Sequence, residues 1–158
     1  MNARGAVLGL CALTVLGLVV RGIGLDGPLW LDEIVTVVEY ASLAPAQART
    51  AFAGPNNHLL NTVLIRACIE CFGAQEWAIR LPAMLAGVAG VPALYWAARA
   101  GLSVRASMLA AALLLLAPHH VFFSQSARGY TGHLLASTLA AGALARALTG
   151  ERVGPWLG

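Results

Sequence analysis

Apolar positions in this chain run in long blocks, and the polar positions gather between them. Gly5 to Val20 is uncharged and flanked by Arg4 and Arg21. Leu81 to Ala98, Ala106 to Phe123 and Gly129 to Ala145 are three further uncharged blocks. Blocks of this length can cross roughly 30 Å of hydrocarbon as helices. They predict transmembrane helices over about residues 5–25, 81–98, 106–123 and 130–148. The fourth block is rich in Gly, Ala, Ser and Thr, which suit close helix–helix approach better than lipid exposure. The first block could also be a signal-peptide core. Arg21 to Leu25 offers no A-x-A-like cleavage site, so an uncleaved first helix is expected.

The stretch from His58 to Phe72 is different. It is apolar on average but short, and it carries Arg66 and Glu70. Each charge would cost roughly 2.5–3.5 kcal/mol at the centre of a spanning helix. Four residues apart, the two can pair on one face. Leu60, Val63, Leu64, Ala67 and Cys71 recur at helical spacing on another. That pattern predicts an amphipathic helix lying in the interface rather than a span.

Parity supports that choice. With 58–72 outside the bilayer, Arg4, Arg99, Arg105, Arg146 and Arg152 all fall on the cytoplasmic side, as the positive-inside rule expects. Residues 26–80 and 118–130 then share the outer face. The expected fold is all-α and multi-pass: four spans, a cytoplasmic N-terminus and an outer loop over 26–80 holding interfacial helices.

Composition agrees with lipid as the solvent. The 158 residues are 59% hydrophobic and 11% charged, against about a quarter charged in a soluble domain. All ten basic residues are arginine, spaced at segment ends. No basic run exists to grip a nucleic acid, so the net charge of +3 does not imply one. The acids are more telling, since six of the seven lie between Asp26 and Glu76.

The outer loop opens on Asp26-Gly27-Pro28, a turn signal. Trp30, a common interface anchor, follows. Asp32 and Glu33 come next, and Ile34 to Tyr40 reads as a short helix on the membrane surface. Ala53 to His58 is a second turn, where Asn57 or its neighbour could cap the next helix. Pro82 suits the first turn of the following span. The second outer segment runs from Pro118 to Tyr130. Arg128 stands there on the side of the membrane that disfavours arginine, so a phosphate or an acid should compensate for it. A surface carboxylate can take a proton from an attacking hydroxyl. Arginines can hold a lipid-linked phosphate and stabilise a leaving anion.

Four motifs in order carry a resemblance. They are Trp30-Leu31-Asp32-Glu33 after the first helix, Asn57-His58-Leu59-Leu60 midway in the outer loop, Arg80-Leu81-Pro82-Ala83 at the second span, and Pro118 with Ser124-Gln125-Ser126-Ala127-Arg128-Gly129-Tyr130 after the third. Over about residues 25–135 the chain resembles the N-terminal portion of the GT-C superfamily of membrane glycosyltransferases. It looks most like the branch of protein O-mannosyltransferases and aminoarabinose transferases, which includes bacterial members. The resemblance implies transfer of a sugar from a polyprenyl-phosphate carrier to an acceptor hydroxyl at the outer face of a bacterial plasma membrane. It implies Asp32 as catalytic base, with Glu33 in support. It assigns Arg80, Arg128, His58 and Tyr130 to the substrate or carrier phosphate, with ordering of the loop as a second role for the arginines. Where the family often has proline after the histidine, this chain has Leu59. Family enzymes are several times longer, so the resemblance covers an enzyme's front portion.

Other chemistry is weaker. No cofactor is required by these motifs. A divalent metal on His119 and His120 with an acid of the outer loop is the one alternative, and adjacent histidines on a helix point apart. Cys68 and Cys71 form a single C-x-x-C inside an apolar helix and read as packing. A transporter should place charge inside its spans, and these blocks have none. A non-catalytic multi-pass subunit, or a remnant of such an enzyme, is the leading alternative to an enzyme.

Overall fold

A computed structural model describes residues 2–43, 47 and 58–149. The regular structure among the described residues is all helical: α1 (Ala3–Gly22), α2 (Leu31–Val35) running into a π-helical segment (Thr36–Ala41), α3 (Leu59–Phe72), α4 (Glu76–Ala98), α5 (Val104–Leu116), α6 (Pro118–Ser124) and α7 (Tyr130–Thr149). The expected turn at 53–57, the Asn57 cap and Arg152 lie outside the described residues.

Helix α4 is the hub. It packs against α7, α5, α3, α1 and α6. By length and composition, α1 and α4 can cross a membrane, and the bent pair α5–α6 makes a third if counted as one span. The chain is therefore an all-α, membrane-associated helical bundle. Helix α7 forms over the expected residues, but its small and hydroxyl-bearing side chains keep it out of that set of apolar helices.

The third block departs from expectation. It was expected as one helix over 106–123, and it is broken after Leu116, with α5 and α6 meeting at 60°. Pro118 is the cause. It lacks an N–H, and its ring disfavours helical geometry in the residue before it. Ala117 is accordingly extended, at φ −62° and ψ 116°. Pro118 then starts α6, where its missing donor costs nothing.

The break leaves carbonyls at the end of α5 in need of donors, and Arg21 supplies one. Its sequence position suggested a charged flank of the first span, yet it is fully buried. Its Nη2 donates to the Leu115 carbonyl at 3.4 Å and to His120 Nδ1 at 2.7 Å. Its Nε donates to Ser124 Oγ at 3.1 Å, and Nη1 reaches the Gly17 carbonyl at 3.4 Å. A cation at a helix C-terminus also offsets that end of the helix dipole. The close approach needs Gly87, where a Cβ would fall 2.1 Å from Ser124 Oγ. So α1, α5 and α6 are pinned together beside α4, and α6 aims the following loop at the segment after α1.

Helix α3 forms over the expected residues and is too short to be a span. Fourteen residues span about 21 Å at 1.5 Å each, short of the hydrocarbon thickness. Arg66 and Glu70 pair at 2.8 Å. Leu60, Val63, Leu64, Ala67 and Cys71 face outward, while Asn61, Thr62 and Ile65 are buried. The apolar stripe read from the sequence is thus left on the outside, where a membrane surface would meet it.

Candidate functional site

The site forms where four pieces of chain meet: the loop after α1, helix α2, the start of α4, and the loop between α6 and α7. Gly24 takes a left-handed φ of +81° and lets the chain fold back after α1. Gly27 N–H then closes the turn on the Gly24 carbonyl at 3.1 Å. This turn presents the carbonyls of Leu25, Gly27 and Pro28 to Arg80, which projects from the beginning of α4.

Arg80 is nearly fully buried and uses every N–H it has. Nη1 donates to Leu25 O and Gly27 O, both at 2.7 Å. Nη2 donates to Pro28 O at 3.0 Å and Glu33 Oε2 at 2.7 Å, and Nε to Glu33 Oε1 at 3.0 Å. A guanidinium has five N–H donors, so none remains for a phosphate. Of the two roles the resemblance offers Arg80, the geometry favours ordering of the loop.

Glu33 is equally committed. Besides Arg80, its Oε2 accepts from Trp30 N at 2.9 Å and its Oε1 from Ala127 N at 2.6 Å. A carboxylate offers about four acceptor positions, and four donors fill them. Burial pushes the Glu33 carboxyl up. The Arg80 hydrogen bonds, the Trp30 and Ala127 N–H groups and the Arg80 charge outweigh it, leaving the group below the usual glutamate range. Glu33 therefore joins the segment after α1 to the α6–α7 loop. The Trp30 contact is also half of a helix-capping arrangement, which fixes the start of α2.

Asp32, one residue earlier, is open. Its side chain is 53% exposed, and it pairs with Arg128 Nη1 of the α6–α7 loop. The Arg128 guanidinium also lies over the Tyr130 ring, 5.2 Å from its centre, a cation–π placement. Tyr130 contacts Phe123 at 4.6 Å and His58 at 5.0 Å between ring centres. The structure thus brings Asp32, Arg128, Tyr130 and His58 into one cluster, with the Glu33–Arg80 pair behind it. The compensation expected for Arg128 comes from Asp32.

His58 stands at the N-cap position of α3 but makes no cap bond. It packs on Gly129, where a Cβ would come within 2.8 Å of His58 Cβ. Burial, and then the Arg128 charge, hold its imidazole below the ordinary histidine range.

The two adjacent histidines diverge. His120 is buried against Arg21, while His119 is exposed on α6. Among the described residues no group of three or more His, Cys, Asp or Glu could hold a metal. The metal alternative on His119 and His120 therefore finds no ligand set there. Cys68 and Cys71 are free thiols on α3.

Two features escaped the sequence reading. One is the Arg21–His120–Ser124 network. Its only trace was polar residues near the ends of two apolar blocks, which also describes ordinary flanks. The other is Asn61, buried on α3 immediately after the motif that ends at Leu60.

A family model described as dolichyl-phosphate-mannose-protein mannosyltransferase matches residues 59–158. The matched stretch contains Arg80, Arg128 and Tyr130, and it begins after Asp32, Glu33 and His58. No curated protein and no solved structure matches the chain.

Proposed function

The chain belongs to the dolichyl-phosphate-mannose-protein mannosyltransferase family, and from that premise we propose that it transfers a sugar from a polyprenyl-phosphate carrier to an acceptor hydroxyl at the outer membrane face. The family is one of GT-C-type membrane glycosyltransferases. The observation that carries the finer reading is the asymmetry of the acid pair: Glu33 is saturated with hydrogen bonds, and Asp32 is exposed opposite Arg128. A rigid pair behind an accessible carboxylate is the arrangement a general base needs.

In the proposed step, the acceptor oxygen attacks the anomeric carbon of the sugar. Its proton passes to Asp32 Oδ. The bond from the anomeric carbon to the phosphate oxygen breaks, and its electron pair leaves with polyprenyl phosphate. Arg128 stabilises the charge that grows on that phosphate. Before the donor arrives, the same arginine holds Asp32 in place. Tyr130 orients Arg128 from beneath. Arg80 and Glu33 keep the two loops in register and touch no substrate.

The test is conversion of donor. Membranes carrying the protein, given a radiolabelled sugar on polyprenyl phosphate and a total membrane extract as acceptor source, should move label from carrier to acceptor. Polyprenyl phosphate should appear in equal amount. Donor as stable as in membranes lacking the protein would defeat the reading.

Orientation belongs to the same proposal. The site lies at one end of α4, and Arg99 and Arg105 lie around its other end. The preference for arginine inside supports a site outside, and with it the proposal of four crossings and a cytoplasmic N-terminus in a bacterial plasma membrane. A cysteine introduced at Gly101 should react with an impermeant maleimide only after the membrane is opened. One at Ala127 would disturb the Glu33 contact, so Gln125 is the better outer position, and it should react in intact cells. Labelling of Gly101 from outside would invert the topology and remove Asp32 from the face where the reaction is proposed.

A further inference from the structure

The end of the bundle away from Asp32 and Arg128 carries a second groove, of about 360 Å³, between the first half of α1 and the start of α5. Gly9 and Leu13 line it from α1, and Arg105, Met108, Leu109 and Ala112 from α5. We propose that this groove seats one acyl chain of an anionic phospholipid, with the lipid phosphate held by Arg105. The site uses no residue of the Asp32–Arg128 cluster and stands apart from sugar transfer.

Position is the first support. Helices α1 and α5 run side by side in the same direction: a Cβ at Gly9 would lie 3.5 Å from Met108, and one at Gly17 would lie 3.6 Å from Leu115. The groove therefore follows the helix axes, as a lipid chain beside them does. Arg105 to Ala112 covers about 10 Å of α5. Helical side chains lean towards the N-terminus, which carries the Arg105 guanidinium off the apolar wall. A cation at the mouth with leucine, methionine and alanine beyond it matches a phospholipid, phosphate first and hydrocarbon after.

Free donors are the second support. Arg105 is exposed and makes no hydrogen bond or ion pair among the described residues. Its neighbours at that end are not equivalent. Arg99 donates to the Leu102 carbonyl. Arg146 donates to the Trp96 carbonyl, and its guanidinium lies over the Trp96 ring. Arg4 is exposed in the first turn of α1 and brings another positive charge to the same end.

Charge sets the class. Every acid among the described residues lies between Asp26 and Glu76, in the chain that joins the C-terminal end of α1 to the start of α4. The seventh acid, Glu151, lies outside the described residues and is followed in the chain by Arg152. Arg4, Arg99 and Arg105 thus have no carboxylate partner among the described residues. A guanidinium can fork a phosphate through two N–H groups. A zwitterionic lipid would bring its own cation to these arginines, whereas a net-negative one brings none. Each basic side chain near anionic lipid contributes about fivefold in affinity.

The experiment titrates the full chain, purified in detergent, with phosphatidylglycerol and with phosphatidylcholine of the same acyl chains, and measures retained lipid by native mass spectrometry. The wild-type protein should hold phosphatidylglycerol at least about fivefold more tightly. Arg105→Gln changes an exposed side chain with no partner to lose, so it should fold, and the preference should drop below about twofold. Arg99→Gln removes the same charge from the same end but away from the groove, and should keep most of the preference. Gly9→Leu fills the groove and should weaken both lipids at least about fivefold; Ala112→Leu repeats that arm from the opposite wall should Gly9→Leu fail to fold. Equal affinity for the two lipids, equal losses in Arg105→Gln and Arg99→Gln, or binding untouched by a filled groove would overturn the site. So would a wild-type protein that retains no lipid, including one whose groove is closed by a second copy in a dimer.

Discussion

Asp32→Asn is expected to reduce sugar transfer by about 10²–10⁴-fold, the range a positioned general base contributes. The amide keeps the size and shape of the carboxylate but cannot take the acceptor proton. The fold should survive, because Asp32 is half exposed and its ion pair with Arg128 is of the surface kind, worth about 0–1 kcal/mol. The loss should fall on kcat, since the donor's carrier and sugar do not depend on this proton transfer. Asp32→Glu is the informative companion. It retains the base at a shifted position, so part of the activity should return. Turnover unchanged in Asp32→Asn would make Asp32 an acid that merely favours the start of α2. The non-catalytic subunit would then be the better description of the chain.

Much of this was legible in the amino-acid pattern, and the failures share a cause. The long apolar helices α1 and α4, the short amphipathic α3 and the gathering of acids between α1 and α4 follow from hydropathy and charge, which are local properties of sequence. The Arg66–Glu70 pair follows from helical spacing. The pairing of Asp32 with Arg128 was anticipated only as a requirement that something balance the arginine. Which acid does so depends on how the α6–α7 loop lies across α2. Trp30-Leu31-Asp32-Glu33 gives no sign that one acid is locked and its neighbour open, because that division depends on Arg80, 47 residues away, and Ala127, 94 residues away. Arg21 misled for a similar reason. A charge at the end of an apolar block is a flank by default, and only the break at Pro118 supplies carbonyls that make its burial tolerable.

The second large effect should come from the Glu33–Arg80 pair, on stability rather than on chemistry. Arg80→Ala leaves a buried carboxylate facing only two backbone N–H groups, and it strips donors from three loop carbonyls. Breaking a buried pair by removing one partner costs about 3–5 kcal/mol, a large part of a typical domain's stability. Arg80→Lys should rescue little, because an ammonium cannot reproduce a five-bond fork. Glu33→Gln keeps acceptor capacity but places an amide N–H₂ against Arg80 or Ala127, so it too should destabilise. Because the residues share one network, the Arg80→Ala/Glu33→Ala double variant should lose less than the sum of the single losses. The pH dependence follows from the depressed Glu33 carboxyl. The native state holds the ionised form more tightly than the unfolded chain does. Its contribution is thus fully present above the usual glutamate range, near 4.3, and is lost as pH falls through the lower native value. Thermal unfolding in detergent micelles, followed by near-ultraviolet circular dichroism at pH 7 and at pH 4 and below, measures both effects. The wild-type midpoint should drop with acid more steeply than that of Glu33→Gln. Parallel acid profiles for the two proteins would mean that the Glu33 carboxyl is not the group that ties the outer loops together.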